Sequence, residues 1–392
     1  MITSPLGFQC AAVAAGIKPD RLDLALLVAD ETCAAAGVFT TNLAQAAPVL
    51  VSREHLAGGR ARAIVVNAGC ANAGTGAQGL ADAKATAAAV AAAVGCEPAH
   101  VIVASTGVIG VPLPMDKIKT GIDRAAAVLS IAAGPDAARA IMTTDTRPKE
   151  VRAEVPLGNA TAIIGGMAKG AGMIAPNMAT LLAFFTTDAS VPADLLQRAL
   201  REAVGDSLNR ITVDGDTSTN DCAVILASGA QSGAVVAEGG TFNAFRRGLS
   251  EAARRLAEML VRDGEGVTKI ADVRVEGART TADADRIARV VAESALVKTA
   301  LHGGDPNWGR ILAAVGRAGV ALDIGRVAIW IGEVWVAEGG HARAYDENDA
   351  ARAMQEDPVR IRIRLGEGNA AGWIWTSDFS HGYVDINAHY RS

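Results

Sequence analysis

Gly165-Gly-Met-Ala-Lys-Gly-Ala-Gly-Met-Ile-Ala-Pro-Asn-Met-Ala-Thr-Leu-Leu-Ala-Phe-Phe-Thr-Thr-Asp188 carries a glycine-rich turn directly into a threonine, Thr180, and then into an apolar run. Gly165, Gly166, Gly170 and Gly172 permit positive φ and close backbone approach, and Pro176 disfavours helical geometry at Ala175, so the chain must turn here. From Met178 to Phe185 the residues are mostly apolar and include two aromatics. That pattern suits a strand covered on both faces and equally a short buried helix. A threonine at such a junction ordinarily satisfies local backbone groups, so any further role for Thr180 has to come from elsewhere in the chain.

The remaining residues limit the possibilities. A chain of 392 residues, half of them apolar but only 4% aromatic, can bury a sizeable core in which small side chains let helices and sheets pack closely. The net charge of −5, with both signs interspersed, lacks the footprint of a nucleic-acid or anionic-membrane binder. Cys10, Cys33, Cys70, Cys96 and Cys222 are scattered and odd in number, which reads as reduced, mostly buried thiols. There is no basic leader before an apolar segment, and Ala85 to Gly95 is mainly alanine and too short to span a bilayer. A cytoplasmic protein is expected.

In chain order, residues 8–67 read as β-structure and loops. Leu24–Val28 and Ala34–Thr40 are short apolar pieces, and Arg62–Asn67 is a buried strand. The small-residue loop up to Gly79 leads into an alanine-rich helix from about Leu80 to Val94. Strand, glycine loop and helix suggest a dinucleotide site, but Gly74-x-Gly76 is followed by Gly79 one residue too early. His100–Gly110 is a second strand, delivering Ser105, Thr106 and Gly107 to its C-terminal end. A hydroxyl beside a glycine amide can supply two donors to one oxyanion, although a plain Ser/Thr/Gly turn would look the same. Further strands are expected at Ala160–Ile164 and Cys222–Ser228, and helices at Pro192–Val204 with Ser190 as cap, Phe242–Val261 and Ala282–Ala300. The acidic loop Arg210–Asp221 fails the EF-hand pattern, and His302-Gly-Gly lacks the G-x-S-x-G nucleophile an esterase would need. With no H-E-x-x-H and no Walker loop, neither metal nor cofactor is expected.

Lys169-Gly-Ala-Gly-Met-Ile-Ala-Pro-Asn-Met-Ala-Thr180-Leu-Leu resembles the ornithine acetyltransferase family, the glutamate N-acetyltransferases of arginine biosynthesis. The resemblance extends through Gly7-Phe8, Ala14–Ile17, Asn67–Gly76, Ser105–Gly110, Met142–Thr146, Asp214–Asp221, Gly264–Gly266 and Gly304–Arg310. It implies an α/β protein with a self-processing, N-terminal-nucleophile-like fold, in which β-sheets pack with helices and two fragments share one core. The cut would fall between Ala179 and Thr180, leaving an N-terminal fragment 1–179 and a C-terminal fragment 180–392. The freed α-amine of Thr180, of ordinary pKa about 7.7–8.0, would serve as base for its own hydroxyl.

By the same likeness Thr180 attacks the acetyl group of N2-acetylornithine, while the Thr106 hydroxyl and the Gly107 N–H hold the oxyanion. L-glutamate then takes the acetyl group in a ping-pong exchange. Substrate contacts carry over to Thr143, Lys169, Thr180, Glu265, Asn387 and Ser392. Without the likeness, Lys169 and Glu265 would read as solvated charges. The family also implies an α2β2 heterotetramer, and no motif decides whether acetyl-CoA is a second donor. Cys70 stands where many members carry Asn or Gly, and reads as a packed thiol. The competing expectations are an aminopeptidase or amidase on the same fold, and a non-catalytic small-molecule-binding α/β protein.

Overall fold

The computed structural model describes residues 1–175 and 181–389. Its strands in chain order are β1 (Phe8–Val13), β2 (Leu24–Phe39), β3 (Arg60–Cys70), β4 (Val101–Val108), β5 (Lys149–Leu157), β6 (Ala160–Lys169), β7 (Leu182–Thr187), β8 (Ile211–Thr212), β9 (Cys222–Ala227), β10 (Ile270–Ala278), β11 (Ala328–Ile331), β12 (Val334–Glu338), β13 (His341–Ala342), β14 (Val359–Arg364) and β15 (Ala370–Ser377). They divide between two compact units, residues 1–209 with 216–260, and residues 210–215 with 261–392.

The first unit holds an eight-stranded sheet in the order β4-β3-β2-β9-β7-β6-β5, with β1 paired to β2. β2 is one long strand where the apolar pattern suggested two short pieces. Its register slips between Val28 and Cys33, and Asp30 and Glu31 reach solvent there while the ladder continues on both sides. Its first half pairs with β1 and its last six residues pair with β9. One buried core joins Leu27, Ile64 and Ile102 with Phe184, Val224 and Leu226. A second core packs Leu26, Val65 and Val103 against the helices Gly76–Val94 and Met115–Ala126.

β7 settles the strand-or-helix question for the described part of the opening stretch: all six of its residues are buried, antiparallel to β6 and parallel to β9. Such a strand, covered on both faces, loses the alternation that would otherwise mark it. Three sequence readings are corrected. The helix Ala47–His55 interrupts the expected β-region, started by Pro48 in its first turn, where the missing N–H costs nothing. Ser190 is no helix cap: its N–H donates to the Ala234 carbonyl and its carbonyl accepts from Val236, a bridge preceding the helix Ala193–Gly205.

The expected helix 282–300 is the third correction, because it is two helices, Thr281–Ala292 and Ala295–Gly303, in the second unit. Extended backbone at Ser294 separates them, and the break lets Val291 and Leu301 enter one core. That core lies under a seven-stranded sheet in the order β13-β12-β11-β14-β10-β15-β8. The five cysteines are free thiols, four of them buried. Among the described residues no helix is long and apolar enough to cross a membrane.

Candidate active site

In the first unit, the last residue of β6 is Lys169, where β6 pairs with the first residue of β7. It is 8% exposed, so the solvated-charge reading fails. Its Nζ donates to the Thr143 hydroxyl at 2.7 Å and to the Thr106 hydroxyl at 3.2 Å. A buried ammonium is tolerated only when hydrogen-bonded and balanced by charge, and the balance here is Asp145.

Asp145 and Lys149 form a buried ion pair of 2.6 Å, with side chains 0% and 1% exposed. The same Asp145 oxygen accepts the Gly170 N–H at 2.7 Å, and the other accepts the Thr143 N–H at 3.0 Å. Burial pushes this carboxyl up, but the Lys169 and Lys149 ammonium groups and the Gly170 amide outweigh it and hold the group down to about 2. Asp145 thereby fixes both the turn carrying Thr143 and the backbone after Lys169. Nearby, Lys18 donates to the Met142 carbonyl at 2.8 Å, and burial brings its pKa down to about 8.

Thr106 and Gly107 lie in the last three residues of β4, at an irregularity in its pairing with β3. Gly107 has φ +128°, and a Cβ there would lie 2.3 Å from the Gly69 carbonyl carbon, so only glycine fits. The strand end is held from beneath by amides. The Ser105 hydroxyl donates to Asn67 Oδ1 at 2.6 Å, and Asn220 Nδ2 donates to the Ala71 carbonyl at 2.6 Å and the Ser105 carbonyl at 2.8 Å. Lys169 occupies an acceptor site on the Thr106 oxygen, which leaves the hydroxyl proton free to be aimed at a developing negative charge.

The second unit holds Glu265 and Asn387. Glu265 is 7% exposed and accepts from Asn387 Nδ2 at 2.8 Å, so it too is no solvated charge. Gly266 follows with φ +66°, and a Cβ there would meet the Tyr383 nitrogen at 2.2 Å. Asp378 ties this turn down: one oxygen accepts the Thr268 and Lys269 amides at 2.9 and 3.1 Å, while the other meets the Thr268 hydroxyl at 2.6 Å and His302 Nδ1 at 2.8 Å. Burial pushes this carboxyl up and the hydrogen bonds prevail, leaving it below its ordinary value.

Thr106, Gly107, Thr143 and Lys169 therefore cluster in one unit, and Glu265 and Asn387 meet in the other. Ala179, Thr180 and Ser392 lie outside the described residues. Sequence reasoning assigned no role to Asp145, although it sits inside the stretch Met142–Thr146 two residues from Thr143, nor to Asn67 and Asn220. Among the described residues no three His, Cys, Asp or Glu side chains are grouped to hold a metal ion.

A sequence model of the ArgJ family matches residues 9–392. The arginine biosynthesis bifunctional protein ArgJ of Symbiobacterium thermophilum is 49% identical over all of this chain and 98% of its own length. That of Dehalococcoides mccartyi is 48% identical over all of this chain and 97% of its own. The crystal structure of ArgJ from Bacillus halodurans superposes with a TM-score of 0.50 at 38% identity, over 53% of this chain and 97% of that one. The chain belongs to the ArgJ family, and it is an acyltransferase of arginine biosynthesis, of the ornithine acetyltransferase and glutamate N-acetyltransferase type.

Proposed function

We propose that the chain is cut between Ala179 and Thr180 and that Thr180 then shuttles an acetyl group from N2-acetylornithine to glutamate. The observation that carries the reading is the Lys169 ammonium on the hydroxyls of Thr106 and Thr143, at the residue where β6 is paired to the strand that follows Thr180. In the cut, the Thr180 hydroxyl attacks the Ala179 carbonyl carbon, the peptide C–N bond breaks, and water opens the resulting ester. The α-amine so exposed titrates near working pH and takes the hydroxyl proton as Thr180 attacks the acetyl carbonyl.

The Thr106 hydroxyl and the Gly107 N–H receive the negative charge on the carbonyl oxygen. The N2–acetyl bond then breaks, the α-ammonium returns its proton to the departing nitrogen, and ornithine leaves an acetyl ester on Thr180. The α-amine of glutamate attacks that ester and carries the acetyl group away. Lys169 and Thr143 suit the substrate α-carboxylate, and Glu265, steadied by Asn387, suits the ornithine side-chain ammonium. Ser392 completes the set by family likeness. An α2β2 assembly and use of acetyl-CoA belong to the same reading.

Intact-mass measurement of the purified protein tests the first step. Two fragments, with Thr180 as a new N-terminus, are expected from the wild type and one uncut chain from Thr180→Ala. Acetyl transfer from acetylornithine to glutamate without free acetate separates transfer from an amidase. Free thiol from acetyl-CoA reports the second donor. An uncut wild type with full turnover would overturn the mechanism.

A further inference from the structure

Glutamate ends in a carboxylate where ornithine ends in an ammonium, so the second half of the exchange needs a cation that the first half does not. Two lysines of the first unit are committed: Lys149 pairs with Asp145, and Lys169 sits on the Thr106 and Thr143 hydroxyls. Lys18 is not. It is half-buried, and among the described residues its ammonium donates only to the Met142 carbonyl, at 2.8 Å. A carbonyl occupies one N–H and leaves the charge unpaired. The charges facing it are Asp23 and Asp145 of one sign and Arg21 and Lys169 of the other.

The backbone brings Lys18 to the cluster of Thr106, Gly107 and Thr143. Asp23, fully buried just before β2, accepts the Ala15, Ile17 and Lys18 amides at 2.6, 2.6 and 2.9 Å and so fixes the turn that carries Lys18. The Asp23 carbonyl accepts the Ala68 N–H at 2.8 Å, which sets that turn beside Gly69. The Lys18 stem lies over Gly69, where a Cβ would meet its Cγ at 2.9 Å, and Gly69 is the residue against which Gly107 packs. The head reaches the residue before Thr143. We propose that Lys18 is a specificity-determining residue of the acceptor half, its ammonium leaving the Met142 carbonyl to pair with the side-chain carboxylate of glutamate. While ornithine occupies the site, the ammonium stays on the carbonyl, and a flexible four-carbon stem permits both positions. The inference rests on the acetyl-transfer reading and names what selects its acceptor.

The test compares two acceptors, L-glutamate and L-glutamine, whose side chains differ in charge and little in shape. Acceptor preference is the ratio of their kcat/KM values, so a structural defect, which slows both alike, cancels. Lys18→Met keeps a stem over Gly69 and removes the charge, and the preference for glutamate should fall about tenfold or more. Lys18→Arg, which restores the charge, should keep it within about threefold, and Arg21→Gln, which removes an exposed neighbouring charge, should leave it unchanged at neutral pH. The wild type supplies a measurement without substitution. Burial above all, then Arg21 and Lys169, bring Lys18 down to about 8 against Asp23 and Asp145, so its charge is present below that pH and lost above it. Because kcat/KM reports the enzyme before the acceptor binds, the preference should decline from about pH 7 to about pH 9 in the wild type and hold in Lys18→Arg. An unchanged preference in Lys18→Met, an equal loss in Arg21→Gln, or a wild-type preference independent of pH would each overturn the inference. Failure of the acetyl-transfer reading shows separately, as a wild type that releases no ornithine from acetylornithine.

Discussion

Two turns, one in each unit, use the same device with different counter-charges. The turn at Asp145 and the turn at Asp378 each bury a carboxylate that gathers two backbone amides, and each sits beside a candidate substrate-binding residue, Lys169 in one case and Glu265 in the other. Asp145 answers to the ammonium groups of Lys149 and Lys169. Asp378 answers to Thr268 and His302, and the latter is an ion-pair partner only when protonated. The first turn is therefore an electrostatic unit that fails as a whole when one charge is lost. The second is mostly a hydrogen-bonded clasp that loses one bond at a time.

The sharpest way to break this comparison is Asp145→Asn. It strands Lys149 at 1% exposure, and unfolding free energy from denaturant melts should fall by about 3–5 kcal/mol, against about 1–3 kcal/mol for Asp378→Asn. Equal losses would mean that the counter-charges do not matter. A comparable effect on the rate is expected at Thr106→Val, with kcat down about 10²–10³-fold and folding intact. If KM changes instead of kcat, the first unit's role is recognition and not chemistry.

Acid titration sharpens the same contrast. The Asp145 carboxyl is depressed when folded, so its stabilisation is fully present above its unfolded value near 3.9 and is lost as pH falls through about 2. This amounts to on the order of 2 kcal/mol, and stability curves of Asp145→Asn should flatten in that window, while those of Asp378→Asn lose only the share of their own carboxyl, which is also depressed, and keep the share of Asp145. The smallest effect is expected at Asn387→Ala. Asn387 is exposed and gives Glu265 one hydrogen bond, so steady-state kinetics should show KM for acetylornithine raised about threefold to tenfold and kcat little changed.

Glycine spacing and the apolar run to Phe185 were enough to expect an irregular stretch followed by a buried element, because those signals are local, and the pairing of β7 decides that the element is a strand. The same locality explains the misses. Ala47–His55 contains Pro48, Val49 and Val51, which by composition read as extended chain, and only packing of the buried face makes it helical. β2 is continuous through polar Asp30 and Glu31 because a register slip lets them point outward, and the pairing partner decides that. At the site, Thr143 and Lys169 came from likeness to a family, while Asp145, which links them, depends on Lys149 and the Gly170 amide meeting in space. The division into compact units is equally non-local, since residues 210–215 leave one unit for the other and the chain then returns.

The place of β7 bears on how such a chain can be handled as separate pieces. β7 lies between β6, which comes before Thr180, and β9, which comes after it. A fragment ending at residue 179 would fold, if at all, with the inner flank of β6 unpaired, and the complementary fragment would carry β7 and β9 without the neighbours that cover them. Bare inner strands are templates for unwanted pairing. Two halves expressed apart are thus expected to precipitate, and a scission made after folding leaves them interlaced, because parting them would mean unzipping the middle of a sheet.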